Sequence, residues 1–288
     1  MKKLAFIKRS NGSHWVGDGF PVQSIFSYSD IAEEMSPFLL MDYAGPTNFP
    51  PTTRKLGVGQ HPHRGFETVT IVYEEGVAHR DSSGGGGSIR AGEVQWMTAA
   101  SGVIHEEYHS PEFAAQGGAF EMVQLWVNLP AKDKMAPPAY QGITAEQIPV
   151  VIVPGGAGTA RIIAGRYGDV VGPAHTFTPM NVWDLRLKAG HQVSLDLSAG
   201  TTTALFVLRG AIEFDRLHTG RAAELAVMER AGGHLEFAVS EDAKLLLLNG
   251  EPLHEPIVGY GPFVMNTREE IAQAIDDFNR GRFGVIRQ

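Results

Sequence analysis

The chain has 288 residues, a formal net charge of -8, and 43% hydrophobic and 19% charged residues, a balance typical of soluble globular proteins. The acidity excludes a general attraction to nucleic acid, and the absence of cysteine excludes disulfides, thiolate zinc sites and cysteine nucleophiles. The basic start MKKLAFIKRS is too short for a signal peptide, and no apolar run is long enough to span a membrane. These features predict a cytoplasmic protein, or a nuclear one if the source is eukaryotic.

The chain is a succession of short apolar runs joined by turn residues. TVTIVYEEG (68–76) and VQLWVNLP (123–130) are rich in β-branched and aromatic residues, which predicts strands. Between them, DSSGGGGS (81–88) can only be a loop, because four consecutive glycines fit no regular element. A second strand-rich region runs from about residue 150 to 248. With 34 glycines and 17 prolines along the chain, this pattern predicts an all-β fold.

A linker rich in proline and small residues, PAKDKMAPPAYQGI (130–143), separates two halves that look related. We therefore predict two domains, 1–133 and 134–288. When the glycines at positions 76 and 210 are aligned, HPH (61–63) lies over LDL (195–197). This alignment predicts a repeated barrel in which the first copy keeps its imidazoles and the second carries leucines in their place.

The last segment, NTREEIAQAIDDFNRGRFG (266–284), has the pattern of an amphipathic helix. Thr267 and Glu270 are spaced as a capping box, and Gly281 provides a stop signal. The apolar residues on one helical face are Ile271, Ala274, Ile275 and Phe278. We expect this helix to follow the second barrel and to pack against a β unit.

Two pairs of polar side chains carry the predicted chemistry. His61 and His63 are two residues apart, so in a strand both imidazoles face the same barrel interior, with Pro62 pointing outward. His105 and Glu107 form a second pair with the same spacing. If the pairs face each other, they form a site of three histidines and one carboxylate that leaves one or two metal coordination positions open.

The donor types restrict the metal. Imidazole and carboxylate ligands without sulfur suit Fe(II), Mn, Co, Ni and Zn, and they disfavour Cu(I). Two histidines and one carboxylate around an iron with open positions mark non-haem Fe(II) oxygenases, and a three-histidine variant is close in kind. The sequence does not select one ion from this group.

HEEYH (105–109) also matches the zinc-peptidase motif H-E-x-x-H, which requires a helix to bring residues four apart onto one face. A glycine shortly before the stretch and Ser-Pro directly after it leave little room for a helix, and the surrounding sequence predicts a strand. In a strand, Glu106 and Tyr108 point away from the site. His109 then lies on the face of His105 but farther along.

Other polar and aromatic residues receive no catalytic assignment. Glu67 is an even number of residues from His61 and His63, so it is a candidate ligand, a supporting acceptor or an outward strand carboxylate. Arg64 is a candidate partner for Glu67 or for a surface acid. The tryptophans Trp96, Trp126 and Trp183 are predicted to lie in the core or the pocket wall. The histidines without a partner at ligand spacing are His14, His79, His175, His191, His218, His234 and His254.

Four stretches together resemble the pirin family of the cupin superfamily, and they occur in the family's order: HPHRGFETVT, GEVQWMTAASGVIHEE, VQLWVNLP and GEPLHEPIVGYGPFVMNTREEI. The resemblance implies a bicupin, with two cupin-type antiparallel β-barrels and a C-terminal helix. It implies one Fe(II) in the N-terminal barrel, with His61, His63, His105 and Glu107 as ligands. Glu67 then becomes a supporting residue, and the tetraglycine at 84–87 is a local departure from the family pattern.

The resemblance implies two functions of different class. One is quercetin 2,3-dioxygenase activity, in which a flavonol or similar enolisable aromatic is opened with O2 and Glu107 accepts the substrate hydroxyl proton. The other is a non-catalytic, redox-sensing regulator whose iron state controls binding to a protein partner, such as a transcriptional complex or a metabolic enzyme. Neither hypothesis requires direct contact with nucleic acid or a membrane.

Overall fold

A computed structural model describes residues 1–10 and 12–287, and antiparallel strands make up most of it. The strands in chain order are β1 (Leu4–Arg9), β2 (Ser13–Val16), β3 (Phe20–Phe26), β4 (Phe38–Phe49), β5 (Gly57–His63), β6 (Phe66–Glu74), β7 (Gly76–Asp81), β8 (Gly86–Arg90), β9 (Val94–Thr98), β10 (Val103–His109), β11 (Gly118–Asn128), β12 (Ala139–Ile143), β13 (Val150–Val153), β14 (Gly158–Ala164), β15 (Arg166–Tyr167), β16 (Val170–Val171), β17 (Met180–Leu187), β18 (Gln192–Asp196), β19 (Thr202–Glu213), β20 (Thr219–Arg221), β21 (Glu224–Met228), β22 (His234–Gly250), β23 (Val258–Tyr260) and β24 (Phe263–Met265). The α-helices are α1 (Ala32–Met35), α2 (Pro111–Gln116) and α3 (Arg268–Asn279), and short 3-10 turns occupy Ala131–Asp133, Ala145–Gln147 and Pro154–Gly156.

The described residues form two compact units that interleave along the sequence. The histidine unit comprises residues 12–32, 38–145 and 253–287, and the leucine unit comprises residues 1–10, 33–37 and 146–252. These units differ from the linear division at residue 133 that the linker predicts, because α3 belongs to the histidine unit and β1 to the leucine unit. None of the helices in the described part of the chain is long and apolar enough to cross a membrane.

The histidine unit contains two main antiparallel sheets. One has seven strands in the order β12-β9-β6-β11-β4-β3-β2, and the other has four strands in the order β5-β10-β7-β8. Apolar side chains from both sheets pack together in one buried cluster, which includes Phe20, Val72, Val77 and Phe120. The four-stranded sheet carries both predicted ligand pairs, because β5 ends at His63 and β10 includes His105 and Glu107.

The leucine unit is built on one nine-stranded antiparallel sheet. Seven strands follow the order β1-β21-β19-β22-β17-β14-β13, and in addition β18 pairs with β22 and β20 pairs with β19. Along β18 buried and exposed side chains alternate, so Val193 and Leu195 face inward. Leu195 and Leu197 belong to a large apolar cluster that also contains Leu235, Phe237 and other residues of β22. The predicted all-β class, with two barrels and a C-terminal helix, is confirmed.

The C-terminal helix is anchored inside the histidine unit. Thr267 and Glu270 form the predicted capping box, and Ile271 and Ala274 are buried in a cluster with Phe283. Burial of this apolar face explains why a helix of only three turns is stable.

The segment that precedes α3 runs beside the first ligand strand. Arg64 and Phe263 form a parallel bridge, and Lys134 donates hydrogen bonds from Nζ to the carbonyl oxygens of Gly65 and Val264. Gly65 has a φ of 92°, and a Cβ there would lie 2.0 Å from the Val264 oxygen. Only glycine permits this close approach.

Candidate metal centre

The two predicted ligand pairs lie on adjacent antiparallel strands. In the pairing of β5 with β10, His61 lies opposite His105 and His63 lies opposite Val103, and a bulge follows His105. The bulge changes the register so that Glu107 lies opposite Val58. Strand pairing therefore brings His105 next to His61, although the two are 44 positions apart in the sequence. His63 joins them because it follows His61 by two residues on the same strand.

The three imidazoles form one cluster. The ring centroids of His61 and His105 are 4.2 Å apart, those of His63 and His105 4.8 Å, and those of His61 and His63 4.9 Å. One nitrogen from each ring lies within 4.8 Å of one from both others, which is the spacing of ligands around a single ion.

Hydrogen bonds determine which ring nitrogens can bind a metal. His61 Nδ1 lies 2.7 Å from the Gly59 carbonyl oxygen, and His63 Nδ1 lies 3.4 Å from that of Pro262. A carbonyl oxygen only accepts, so both Nδ1 atoms donate and both Nε2 atoms keep a lone pair. His105 Nε2 is buried, and no described residue forms a hydrogen bond with it. This orphaned acceptor and the all-nitrogen-and-oxygen donor set fit a divalent metal ion.

Electrostatics keep two of these imidazoles, His63 and His105, neutral. Burial lowers the pKa of His63 and of His105 well below the usual range, and the neighbouring imidazoles lower both further. Because a metal binds only the deprotonated nitrogen, these two rings are ready for an ion at neutral pH without losing a proton.

The Glu107 carboxylate lies beside the imidazole cluster, in a network of hydrogen bonds from β6 and β9. Its Oε1 accepts hydrogen bonds from Gln95 Nε2 and, at 3.2 Å, from Thr70 Oγ1. A ligand atom of Glu107 also lies within 4.8 Å of one from His105 and one from His79. The two donors fix the carboxylate on the side of the cavity.

The cluster opens into a cavity of about 360 Å³ within the histidine unit. His61, His63, His105 and Glu107 all line it, with Asp42 and Gln124 as further polar groups. The remaining lining residues are Val16, Phe20, Val22, Val58, Met122, Trp126 and Pro262. An apolar wall with a few convergent polar groups is typical of a site for a small organic molecule.

His109 and Glu106 have the positions expected for a strand. His109 Nε2 donates to the Gly19 carbonyl oxygen at 2.8 Å, and its ring lies in an aromatic cluster with Phe49 and Phe113. Glu106 forms ion pairs with Arg80 and, at 3.2 Å, with Lys55. Residues 103–109 form β10 and not a helix, so the geometry that H-E-x-x-H requires is absent from this stretch.

Glu67 does not support the predicted ligands. Thr70 and Glu67 are three residues apart on β6, so they face opposite sides of the sheet, and Thr70 is the one that contacts Glu107. Glu67 Oε1 accepts a hydrogen bond from Thr98 instead, and burial raises the pKa of Glu67 to about 7. Counting alternate residues from His63 places Glu67 on the ligand face, but this alternation does not continue into β6, because the chain turns at Gly65 before β6 begins.

His79 is the residue of this region that the sequence pattern misses. It lies on β7 opposite Glu107, is fully buried, and its ring centroid is 5.1 Å from that of His105. Its Nε2 lies 3.1 Å from Asp81 Oδ2. The H-x-D spacing of these two residues is the only local signal, and the contact with His105 depends on the pairing of β7 with β10.

The antiparallel barrels and the histidine cluster define a bicupin protein with a metal-type donor set, and comparisons with known proteins agree. The pirin family model matches residues 19–127, and the pirin C-terminal cupin domain model matches residues 182–284. The chain therefore belongs to the pirin family.

Named relatives cover nearly the whole chain. A Pseudomonas aeruginosa protein named "putative quercetin 2,3-dioxygenase" is 57% identical over 98% of this chain and 99% of its own. Pirin-like protein 2 of Arabidopsis thaliana is 35% identical over 93% of this chain and 81% of its own. The crystal structure of quercetin 2,3-dioxygenase from Acinetobacter baumannii is 54% identical, covers 100% of both chains and has a TM-score of 0.96.

Proposed function

We propose that this pirin is a non-haem Fe(II) dioxygenase of the quercetin 2,3-dioxygenase type, acting with O2 on a flavonol or similar enolisable aromatic. The observation that carries the proposal is the convergence of His61, His63, His105 and Glu107 on one apolar-walled cavity. Relatives that match along the full chain are named for this activity.

The same four residues are the proposed ligands. Three imidazoles and one carboxylate suit Fe(II), and Mn, Co, Ni and Zn have compatible preferences. When bound, an Fe(II) ion with open positions supplies the activation of O2 and the polarisation of the substrate oxygens. β5 and β10 hold the donors in place because the two strands pair with each other in one sheet, so none of the donors lies in a loop.

Glu107 is the proposed general base for the substrate hydroxyl. Its carboxylate lines the cavity, and Gln95 and Thr70 hold one oxygen by hydrogen bonds. A base must lie within hydrogen-bond reach of the proton that it accepts, and a fixed carboxylate at the cavity wall satisfies that requirement for a hydroxyl near the histidines.

The apolar wall of the cavity would position the aromatic substrate. Trp126 lies with its ring centroid 5.2 Å from that of His63 and is stacked on Phe66. Phe20, Val22 and Met122 complete the wall. These side chains can pack against a flat aromatic ring and exclude water from the reacting centre.

Oxygen uptake with quercetin on iron-loaded protein tests the proposal, and His63→Ala serves as the control. We expect uptake by the wild type that depends on both quercetin and iron, with formation of a ring-opened product. Wild-type turnover no greater than that of His63→Ala, in samples whose iron content has been measured, would rule out this activity.

A further inference from the structure

His79 and Asp81 lie beside His105 on β7, which pairs with β10 on the side opposite β5. In the pairing of β7 with β10, His105 faces Asp81 and Glu107 faces His79. His79 and Asp81 are both buried, and neither lines the cavity. Two polar side chains in such a position need a physical reason, because burial of a polar group is unfavourable without a partner.

The hydrogen bonds form a chain with a defined direction. Asp81 Oδ2 lies 3.1 Å from His79 Nε2, and a carboxylate only accepts, so His79 Nε2 donates. A neutral imidazole has one N–H, which makes His79 Nδ1 an acceptor. His105 Nδ1 lies 3.3 Å from His79 Nδ1 and is therefore the donor. The lone pair of His105 is left on Nε2, the atom without a protein partner.

The surroundings fix Asp81 and His79 in this arrangement. Asp81 Oδ1 accepts hydrogen bonds from the backbone N–H groups of Ser83 and Gly85, at 2.8 and 3.0 Å. Tyr140 stacks on the His79 ring at 5.1 Å with an interplanar angle of 18°. A Cβ at Gly85 would lie 2.4 Å from Asp81 Oδ2 and 2.6 Å from the Tyr140 Cβ. The turn at 82–85, between β7 and β8, therefore closes tightly over this pair. The predicted loop at 81–88 is wrong at both ends, because Asp81 ends β7 and residues 86–88 pair with β7 as the start of β8.

We propose that Asp81 and His79 form a hydrogen-bonded chain that orients His105 as a metal ligand, with His79 as a positioning residue. The inference rests on the proposed function only in requiring a metal at the histidine cluster. Carboxylate–histidine pairs behind a ligand fix its tautomer and ring angle, and loss of such a partner typically weakens metal affinity by about 10- to 100-fold.

The alternative is a second cation held by His79, His105 and Glu107, whose ligand atoms also lie within 4.8 Å of one another. With a metal at the histidine cluster as well, His105 would have to bind one ion through each nitrogen and lose its one remaining N–H proton. The hydrogen-bonded chain needs no such deprotonation and gives every nitrogen of His79 and His105 a role, which favours it.

Titration of metal-free protein with Co(II), followed by visible absorption, tests the chain. His79→Phe keeps the ring shape and the stack on Tyr140 but removes both nitrogens, and His79→Asn restores an acceptor near the position of Nδ1. His109→Phe is the matched control, because it makes the same change at a buried histidine of β10 outside the chain. Asp81→Asn provides a second, independent break. Thermal unfolding of each variant confirms that it is folded.

We expect one Co(II) per chain in all folded variants, with affinity about 10- to 100-fold weaker and an altered absorption spectrum in His79→Phe. Asp81→Asn should move in the same direction, and His79→Asn should recover most of the affinity. His109→Phe should titrate like the wild type. This pattern would support a positioning role, because a merely structural role would not be rescued by asparagine.

Two results would overturn the inference while leaving the proposed function intact. One is wild-type affinity and spectrum in both His79→Phe and Asp81→Asn. The other is two Co(II) ions in the wild type and one in His79→Phe, which would make His79 a ligand. Absence of any Co(II) binding by the wild type is a different result, and it would count against the metal site of the proposed function itself.

Discussion

Arg64 Nη1 donates a hydrogen bond to Asp277 Oδ2 at 2.9 Å, and both side chains are buried. Arg64 directly follows the ligand strand β5, and Asp277 lies on α3, so this ion pair joins two segments that are 213 residues apart. Arg64 Nε also donates to the Ser101 carbonyl oxygen at 2.7 Å. The C-terminal helix therefore supports the segment that directly follows the strand carrying His61 and His63, two of the proposed ligands.

Removal of the Asp277 carboxylate should destabilise the fold strongly. Asp277→Ala leaves the buried Arg64 guanidinium without its counter-ion, and breaking one side of a buried pair costs about 3–5 kcal/mol. Asp276→Ala is the matched control, since Asp276 pairs with Arg280 on the exposed side of the same helix, where a pair contributes about 0–1 kcal/mol. Denaturant unfolding of the two variants measures the difference, and equal losses would contradict the assigned role.

The same ion pair should contribute to acid sensitivity. The hydrogen bond from Arg64 holds the pKa of Asp277 below its usual range, against the opposing effect of burial. A depressed carboxylate pKa stabilises the fold above the unfolded-state pKa, and this stabilisation is lost as the pH falls through the folded-state value. We expect the difference in unfolding free energy between wild type and Asp277→Asn to shrink on acidification below about pH 4. A difference independent of pH would show that the charge plays no part.

Glu67 should produce the opposite pH dependence. Burial raises its pKa from 4.5 to about 7, so between these values the folded state binds more protons than the unfolded state. The free energy of unfolding therefore falls as the pH rises through this range, by a contribution on the order of 3 kcal/mol. Glu67→Gln lacks this loss, and we expect it to gain stability relative to wild type between pH 4.5 and pH 8.

Chemical unfolding at the two pH values measures the effect of Glu67, with Glu269→Gln on the exposed face of α3 as the control. The comparison of each variant with wild type cancels the titration of the histidines. If the stability difference for Glu67→Gln is the same at both pH values, the buried carboxyl does not titrate in this range.

Metal content should separate the proposed ligands from the neighbouring histidine. His61→Ala, His63→Ala, His105→Ala and Glu107→Ala should each lose bound iron, because each removes one donor from the cavity. His109→Ala should keep its iron despite lower stability, because its ring donates to Gly19 among phenylalanines. Elemental analysis of purified variants provides the measurement. Iron loss in both His105→Ala and His109→Ala, with iron retained in His61→Ala and His63→Ala, would revive the peptidase interpretation.

Metal loading should stabilise the fold by mass action. An ion that binds only the folded state contributes about 2.7 kcal/mol at a free concentration 100 times its Kd. We expect Ni(II) or Fe(II) to raise the Tm of metal-free wild type and to leave that of His105→Ala unchanged. Differential scanning calorimetry under anaerobic conditions tests this, and a matching Tm rise in His105→Ala would place the ion elsewhere.

The strand period explains which parts of the site the sequence predicts. His61 with His63, and His105 with Glu107, are local pairs two residues apart, so a strand assignment alone brings each pair to one face. The all-β fold and α3 likewise follow from local patterns and a capping box.

The rest depends on contacts between distant segments. His79 reaches His105 only through the register of β7 with β10. Gln95 lies on β9 of the seven-stranded sheet and reaches Glu107 on β10 of the four-stranded sheet. The turn at Gly65 interrupts the alternation of side chains, so Glu67 does not lie on the face of His63 as the sequence pattern suggested. No local pattern carries these registers, because they are set by the packing of the whole sheet.

The carbonyl oxygen that fixes His63 belongs to Pro262, 199 residues further along the chain. During synthesis both ligand strands emerge from the ribosome long before this residue is added. A nascent chain therefore carries all four proposed ligands before it has the carbonyl oxygen that fixes the ring of His63. We therefore expect the proposed site to reach its full arrangement only after the segment from 253 to 265 has emerged and Phe263 has paired with Arg64.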